Sequence, residues 1–506
     1  MKDQGRRAIG IVGGGTMGRG IIQLFAQAGY AVHCYDALPG AAQNAVEFVI
    51  GMLRRGIEKG KITQDGLDAV AGRIHPCELL SDLGGCDVVI EAIVENLAIK
   101  IELFRALEKW VPETAILATN TSSLLVSAIA GGCARPERVA GLHFFNPVPL
   151  MKVAEVIPGV RTNAVTIDTL QDLISGAGHR PVIAADQPGF LVNHVGRGLY
   201  TEGLRILEER VAGVADIDAL LRDAAGFRMG PFELLDLTGL DVSGKVMESI
   251  YEQFQHEPRF RPSSLVGPRI AAGLFGRKSG QGWYEYDGDR KREGQCPIRS
   301  STICSGLRVW IDPAADARAA VAALVESAGA TIDADAKNAD VLFSLPWGSD
   351  ATSYCVEHGL DAARCVALDP LPDIGKRRTL MLTMATTPAV RDAAAAALGS
   401  DGVPVTLIND SPGFVIQRVL ATIVNIAADM AQRGIAAVAD IEDAVTLGLG
   451  YPHGPLAWGD RIGSHRVHCI LKRMQAATGD PRYRPSPWLA RRATLGVSLL
   501  TPEAVR

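Results

Sequence analysis

Four polar residues in the first two hundred positions carry side chains suited to the oxidation of an alcohol, one as base, one as its partner and two as hydrogen bonders. His143 lies in an apolar run, Val139-Ala140-Gly141-Leu142-His143-Phe144-Phe145-Asn146-Pro147, and Glu155 lies in the next, between Met151 and Pro158. A neutral imidazole accepts a hydroxyl proton near pH 7, and a buried carboxylate on its other nitrogen fixes the tautomer and stabilises the imidazolium. Ser122, within Asn120-Thr121-Ser122-Ser123, and Asn193, beyond the turn Asp186-Gln187-Pro188-Gly189-Phe190, can hydrogen-bond the hydroxyl or the developing carbonyl. Such a set serves alcohol oxidation with departure of hydride. Spacing alone does not bring the four together, and buried packing or helix capping is the alternative role for each.

A place for the hydride acceptor is written near the N-terminus. Ile9-Gly10-Ile11-Val12 reads as a short buried strand, Gly13-Gly14-Gly15-Thr16-Met17-Gly18 as the turn into a helix, and the run to Ala28 as that helix, its first amides facing a pyrophosphate. Gly13 allows the turn, Gly15 lets a dinucleotide approach the backbone, and Gly18 lets helix and strand pack closely. Asp36 ends the second strand, 23 residues beyond Gly13. A carboxylate there accepts both ribose hydroxyls and repels a 2′-phosphate, so NAD is expected over NADP.

The elements that must hold these residues read as an open α/β sheet. Strand patterns recur near Ile74, from Cys86 to Ile93, from Ala115 to Thr119, from Val139 to Phe145, from Met151 to Pro158 and at Val182-Ile183, with helices between several of them, such as Leu97 to Leu107. Glu91 and Glu95 fall at the carboxyl edge, where open sheets bind ligands. Glu95 is a candidate for positioning groups beside a nicotinamide, and Lys100 for pairing with it or touching a ligand. Lys59 and Lys61 end the helical run after Pro39-Gly40 and are weak phosphate candidates. Beyond Gly189, helical periodicity takes over in Val195 to Glu209, from Asp216, and in Leu234 to Ile250. The glycine-rich segment Gly276-Arg277-Lys278-Ser279-Gly280 lacks the order of a phosphate loop.

A chain of 506 residues with 47% hydrophobic and 21% charged residues has the size and balance of a folded multidomain protein. Its net charge of -5 gives no support to a nucleic-acid footprint, and Arg377-Arg378 and Arg491-Arg492 read as solvated basic faces. Nine cysteines lie scattered without the spacing of a metal site, no run of 18 apolar residues offers a membrane span, and Met1 to Gly5 lead directly into a strand. A cytoplasmic protein with reduced thiols and no metal is the expectation.

The chain repeats itself. Asp186-Gln187-Pro188-Gly189-Phe190 recurs as Asp410-Ser411-Pro412-Gly413-Phe414, and at the same offset of 224 residues Ala215-Asp216-Ile217 recurs as Ala439-Asp440-Ile441 and Gly230-Pro231 as Gly454-Pro455. Asn193 becomes Gln417. A polar segment from Asp287 to Gly306 divides the halves. Beyond it, strand patterns at Leu307 to Ile311, Ala339 to Ser344, Arg364 to Leu368 and Thr379 to Met384 surround alanine-rich helices, with no glycine motif and no counterpart of His143; Asp369-Pro370 echoes Asn146-Pro147. The predicted fold is an α/β Rossmann-type domain (1–186), an all-α helical domain (187–290), a degenerate Rossmann-like domain without a nucleotide motif (307–408), and a second copy of the helical domain (409–500). The two helical copies are expected to pair within the chain, with association of whole chains also open.

Gly13 to Gly18, Glu91-Ala92-Ile93-Val94-Glu95-Asn96, Asn120 to Leu124, Gly141 to Pro147 and Asp186 to Asn193 together resemble the 3-hydroxyacyl-CoA dehydrogenase family over the N-terminal 290 residues. The resemblance implies oxidation of a (3S)-3-hydroxyacyl-CoA at carbon 3 by NAD, with His143 as base, Glu155 as its partner, and Ser122 and Asn193 facing the substrate. It implies that Gly13, Gly15, Thr16, Met17, Gly18, Asp36, Glu95, Lys100, Asn120, Ser122 and Asn146 lie at the cofactor. Two-copy bacterial members are similar to enzymes of phenylacetate breakdown that oxidise 3-hydroxyadipyl-CoA. A distal carboxylate would call for a cation, with Arg197, Arg205 and Arg228 as candidates; 3-hydroxybutyryl-CoA is the alternative substrate.

Overall fold

Alternating apolar residues bury both faces of the first sheet. In β1 (Ala8–Val12), Ile9 and Ile11 join one core with Val88 and Ile90 of β4 (Val88–Glu91), while Val12 and Val89 enter the core on the opposite face. The computed structural model describes residues 7–288, 290–292 and 305–503. The remaining strands of this sheet are β2 (Ala31–Tyr35), β3 (Ile74–Cys77), β5 (Ile116–Thr119), β6 (Val139–Phe144), β7 (Val153–Pro158) and β8 (Arg180–Ile183). They lie in the order β3-β2-β1-β4-β5-β6-β7-β8, all pairs parallel except β6 with β7. The order reverses between β1 and β4, the crevice where such sheets take ligands.

The chain divides into two compact units, Met1–His194 with Arg433–Leu449, and Val195–Gln432 with Gly450–Arg506. These differ from the domain borders expected at 186, 290, 307 and 408: residues 433–449 group with the first sheet.

The second unit holds a small hairpin, β9 (Tyr286–Asp287) with β10 (Arg290–Lys291), and a six-stranded sheet. Its strands are β11 (Arg308–Ile311), β12 (Thr331–Ile332), β13 (Val341–Ser344), β14 (Cys365–Leu368), β15 (Arg378–Leu382) and β16 (Val405–Ile408), in the order β12-β11-β13-β14-β15-β16. Only β14 and β15 pair antiparallel. The short edge strand β12 and strand β16 were not among the predicted elements. Also in this unit, Gly198 meets Ile423 of the helix Ile416–Gln432 so closely that a β-carbon at 198 would stand 2.8 Å from its side chain.

Two expectations change. The helix expected over Leu234 to Ile250 is two, Pro231–Thr238 and Leu240–Gln253, because Gly239 between them turns to a φ of 88°. Arg378 is not on a solvated face: it is 3% exposed and forks onto Asp401 at 2.7 and 2.6 Å, while Arg377 pairs with Asp223 and Arg492 is buried against Trp488. Desolvation of a guanidinium is offset here by bidentate bonding. Of the nine cysteines, Cys296 and Cys304 lie outside the described residues, as do Met1 to Gly5 and most of the polar segment after Asp287. The seven others are free thiols. Among the described residues no helix is long and apolar enough to cross a membrane and no group of three metal-ligating side chains forms.

Candidate active site

The turn after β1 has the shape of a dinucleotide cradle. Gly13 adopts a φ of 109°, and a β-carbon there would press to 2.6 Å from the carbonyl oxygen of Ala92. At Gly18, in the first turns of α1 (Thr16–Gln27), a β-carbon would collide with the carbonyl of Gly13. At Gly15 it would meet nothing within 4 Å, which leaves the approach to Thr16, Met17 and the start of α1 clear. Asp36, just past β2, accepts from the amides of Gly14 (2.7 Å) and Leu38 (2.9 Å) and lines a cavity of about 500 Å³ with Leu38, Pro39 and Pro76. The residues fit an NAD adenosine half, with the carboxylate already oriented by the loop it must serve.

The antiparallel register sets His143 of β6 directly opposite Glu155 of β7. His143 Nδ1 lies 2.5 Å from Glu155 Oε2. Both are buried, at 5% and 0% exposure. The other carboxylate oxygen accepts from the amides of Leu191 (2.9 Å) and Val192 (2.8 Å), where the helix Val192–Glu208 begins. Glu155 is therefore held from both ends, and with Nδ1 committed to it, Nε2 is the nitrogen that can take a proton. The rings of Phe145 and Phe190 pack against the imidazole, at 4.6 and 5.8 Å between ring centroids. Asn193 is the second residue of that same helix, half-buried.

A second knot forms at the ends of β4 and β5. Glu95 accepts from the Thr121 hydroxyl (2.5 Å), the amides of Ser122 (3.1 Å) and Ser123 (3.2 Å), and the Ser123 hydroxyl (2.9 Å). Burial pushes the Glu95 carboxyl up, but the Thr121 bond, the charge of Lys100 and the serine bonds outweigh it and leave the group below its ordinary value. Of the two roles expected of Lys100, pairing with Glu95 or touching a ligand, the structure has the first: the side chain is enclosed at 1% exposure, 3.4 Å from Glu95 and also 2.5 Å from Glu91. A lysine this buried needs its charge matched, so its reach toward a cofactor runs through Glu95. Asn120 accepts from the amide of Phe144 (2.9 Å) and so ties the end of β5 to β6 beside His143.

Asn146 is exposed and lines a cleft of about 710 Å³ between α1, α2 (Ala41–Glu58) and the segment after β6. Lys59 and Lys61 line it too, together with Arg19, Arg55 and Lys152, which sequence reading missed. The signal was available: Phe48, Met52 and Arg55 recur at helical spacing on one face of α2, and Lys59 follows at its C-terminal end. Lys278 is tied to Asp241 at 2.7 Å. Of the three arginines suggested for a distal carboxylate, Arg205 is engaged by Glu209 and Asp480, and Arg228 is exposed. Arg197 is buried, its guanidinium 4.7 Å from the Tyr200 ring centre.

Comparison with known proteins gives a consistent result. Residues 8–187 match the 3-hydroxyacyl-CoA dehydrogenase NAD binding domain, and residues 189–286 and again 413–498 match the C-terminal domain of the same family. The chain is 36% identical over 490 residues to a 3-hydroxyadipyl-CoA dehydrogenase of Escherichia coli K12, covering 97% of this chain and 98% of the relative. Against the mitochondrial hydroxyacyl-coenzyme A dehydrogenase of Sus scrofa it is 38% identical over 54% of this chain and 90% of that protein. A crystal structure described as 3-hydroxybutyryl-CoA dehydrogenase from Escherichia coli K12 superposes with a TM-score of 0.86 at 35% identity, over 97% of this chain and 98% of that one.

Proposed function

The chain belongs to the 3-hydroxyacyl-CoA dehydrogenase family, and from that membership we propose that it oxidises 3-hydroxyadipyl-CoA to 3-oxoadipyl-CoA. The reaction class, NAD-dependent oxidation of a 3-hydroxyacyl-CoA, is the family's. NAD bound over Gly13 to Gly18 and Asp36 supplies the hydride acceptor. His143 takes the hydroxyl proton at Nε2, and Glu155 stabilises the imidazolium without leaving its two amides. Ser122 and Asn193 hold the substrate oxygen, an orientation worth more in a closed site than one hydrogen bond in water. Five cations, Arg19, Arg55, Lys59, Lys61 and Lys152, suit the cleft beside Asn146 to the phosphates of CoA.

The His143–Glu155 pair, with its carboxylate clamped at both oxygens, carries this reading. Support for the adipyl chain comes from the name of the Escherichia coli relative and from Arg197, one helical turn beyond Asn193. The name attached to the matched crystal structure favours the second reading, 3-hydroxybutyryl-CoA. Steady-state NADH production with each thioester decides: the adipyl substrate is expected to have the higher kcat/KM, by about tenfold or more, and Arg197→Met to erase that preference. Equal or reversed preference in the wild type overturns the adipyl assignment.

We read 1–186 as the NAD domain, 187–290 and 409–500 as two copies of the helical domain paired within the chain, and 307–408 as a reduced Rossmann-like domain. Support comes from the double match of the C-terminal domain and from the buried Arg418, which bonds Glu202 (2.8 Å) and Glu209 (2.7 Å) of the first copy. The free thiols accord with a cytoplasmic setting.

A further inference from the structure

Residues 433–449 come from the repeat that lacks both the nucleotide turn and the base, yet they are fastened to the sheet that carries them. The carbonyl of Ile435 accepts from the amide of Ala185 (2.8 Å), and Asp440 accepts from the amide of Ile183 (3.2 Å). Arg180, the first residue of β8, pairs with Asp440 at 2.9 Å and Asp443 at 2.8 Å. Strand β8 is the parallel neighbour of β7, with Val182 beside Glu155. From this anchor the chain enters a π-helical run, Ala444–Leu449, a geometry often found at functional sites. A β-carbon placed on Gly448 in that run would stand 2.9 Å from a methyl of Val192 and 3.4 Å from one of Val153.

Both neighbours support the catalytic pair. Val192 gives its amide to Glu155 and is followed directly by Asn193. Val153 precedes Glu155 by two residues and so shares its face of β7. At the matching place in the first repeat, 224 residues earlier, the residue is Ala224. We infer that Gly448 is a positioning residue for the oxidation proposed above: the second repeat forms a wall, in the same chain, that sets Val192 and Val153 and thereby the orientation of Glu155, His143 and Asn193. The inference rests on that reaction and adds a role for the copy that has no base of its own.

The test uses the full chain with NAD and a 3-hydroxyacyl-CoA, with kcat normalised to NADH-binding sites counted by fluorescence titration. Gly448→Ala is expected to lower kcat by about tenfold and Gly448→Val by about a hundredfold, with the KM for NAD unchanged, because sub-ångström displacement of aligned groups is felt in the chemical step. Adding Val192→Ala to Gly448→Ala makes room for the methyl and is expected to recover most of the loss. A merely structural glycine would lower the number of NADH-binding sites and the Tm, not kcat per site. If Gly448→Val fails to fold, Gly448→Ala and its double variant carry the decision. A per-site kcat within about twofold of wild type in Gly448→Ala, or no recovery in the double variant, overturns the inference while normal wild-type turnover leaves the proposed function standing. A wild-type chain without turnover overturns both.

Discussion

Strands β6 and β7 in the first sheet, and β14 and β15 in the second, form the one antiparallel step in each, and the two steps carry opposite contents. β6 leads into Asn146-Pro147 and places His143 opposite Glu155; β14 leads into Asp369-Pro370 and places Val366, likewise three residues back, opposite Leu382. The supporting turns are alike. Gly189 and Phe190 have φ values of 75° and 48°, Gly413 and Phe414 of 83° and 51°. Asp186 accepts from the amides of Val126 and Ser127, and Asp410 from those of Ala351 and Thr352. Where chemistry would occur the resemblance stops. Gln417, in the place of Asn193, turns inward to bond the amide of Gly348 and the carboxylate of Asp369. After β11 the chain runs into Asp312-Pro313, where the Asp312 side chain accepts from Ala314 and Tyr354 and none of the glycines of the turn after β1 is present. A buried histidine and glutamate need every lone pair matched, whereas an apolar pair needs only contact, so a sheet with no reaction to perform is free to hold valine and leucine.

The contrast is broken most directly at the base. His143→Ala is expected to lower kcat by about 10³ to 10⁴ with NADH binding intact, while Val366→His produces no new activity, since Leu382 offers no carboxylate. Steady-state NADH production alongside fluorescence titration measures both; a loss below tenfold at 143 would erase the difference between the sheets. Next in size, Asn193→Ala should reduce kcat/KM by about 10² through loss of an oxygen-facing donor. Gln417→Ala should leave kcat within about twofold yet lower stability to urea by about 2 kcal/mol, because the Gly348 amide and Asp369 lose a buried partner. A Gln417 variant that lost turnover instead would show the second sheet to be coupled to the reaction.

Much of this contrast is legible in the amino-acid sequence. The glycine spacing and Asp36 gave the nucleotide turn because each requirement there is local, a φ angle or a close approach within a few residues. The 224-residue offset is a pattern of residue types, visible by aligning the chain with itself. Pairings between distant segments were not legible: nothing in the sequence says that Lys100 faces Glu91 and disappears from the surface, or that Arg378 is buried against Asp401. Nor does it say that residues 433–449 join the first sheet, since that depends on Arg180 meeting Asp440 across 260 positions. Strand β12 was missed because two residues cannot show a period. The break at Gly239 was missed because periodicity continues on both sides of it.

The smallest effect separates the two X-Pro turns, and it lies in pH. Asp369 is buried, with one carboxylate oxygen accepting from Gln417 (2.9 Å) and Leu371 (3.0 Å) and the other, Oδ2, without a hydrogen-bond partner, whereas its counterpart Asn146 is neutral and exposed. Burial pushes the Asp369 carboxyl up to about 6, against the pull of the Gln417 and Leu371 bonds. An unfolded aspartate titrates near 3.9, so between about pH 4 and 6 the native chain keeps a proton that the unfolded chain has lost. The contribution of this group to stability is therefore most favourable below about pH 4 and is lost as pH rises through 6, a swing of about 3 kcal/mol at most. Asp369→Asn removes the titration but leaves an amide N–H in place of the unpartnered oxygen, so the net gain near pH 7.5 should be only about 1 kcal/mol. Thermal unfolding of both chains across this range is the measurement: the variant's Tm should equal or trail the wild type near pH 4 and exceed it near pH 7.5, with turnover unchanged. A Tm difference that stays flat with pH would mean that Asp369 is ionised in the folded chain, and that the second turn bears its charge as readily as a solvated one.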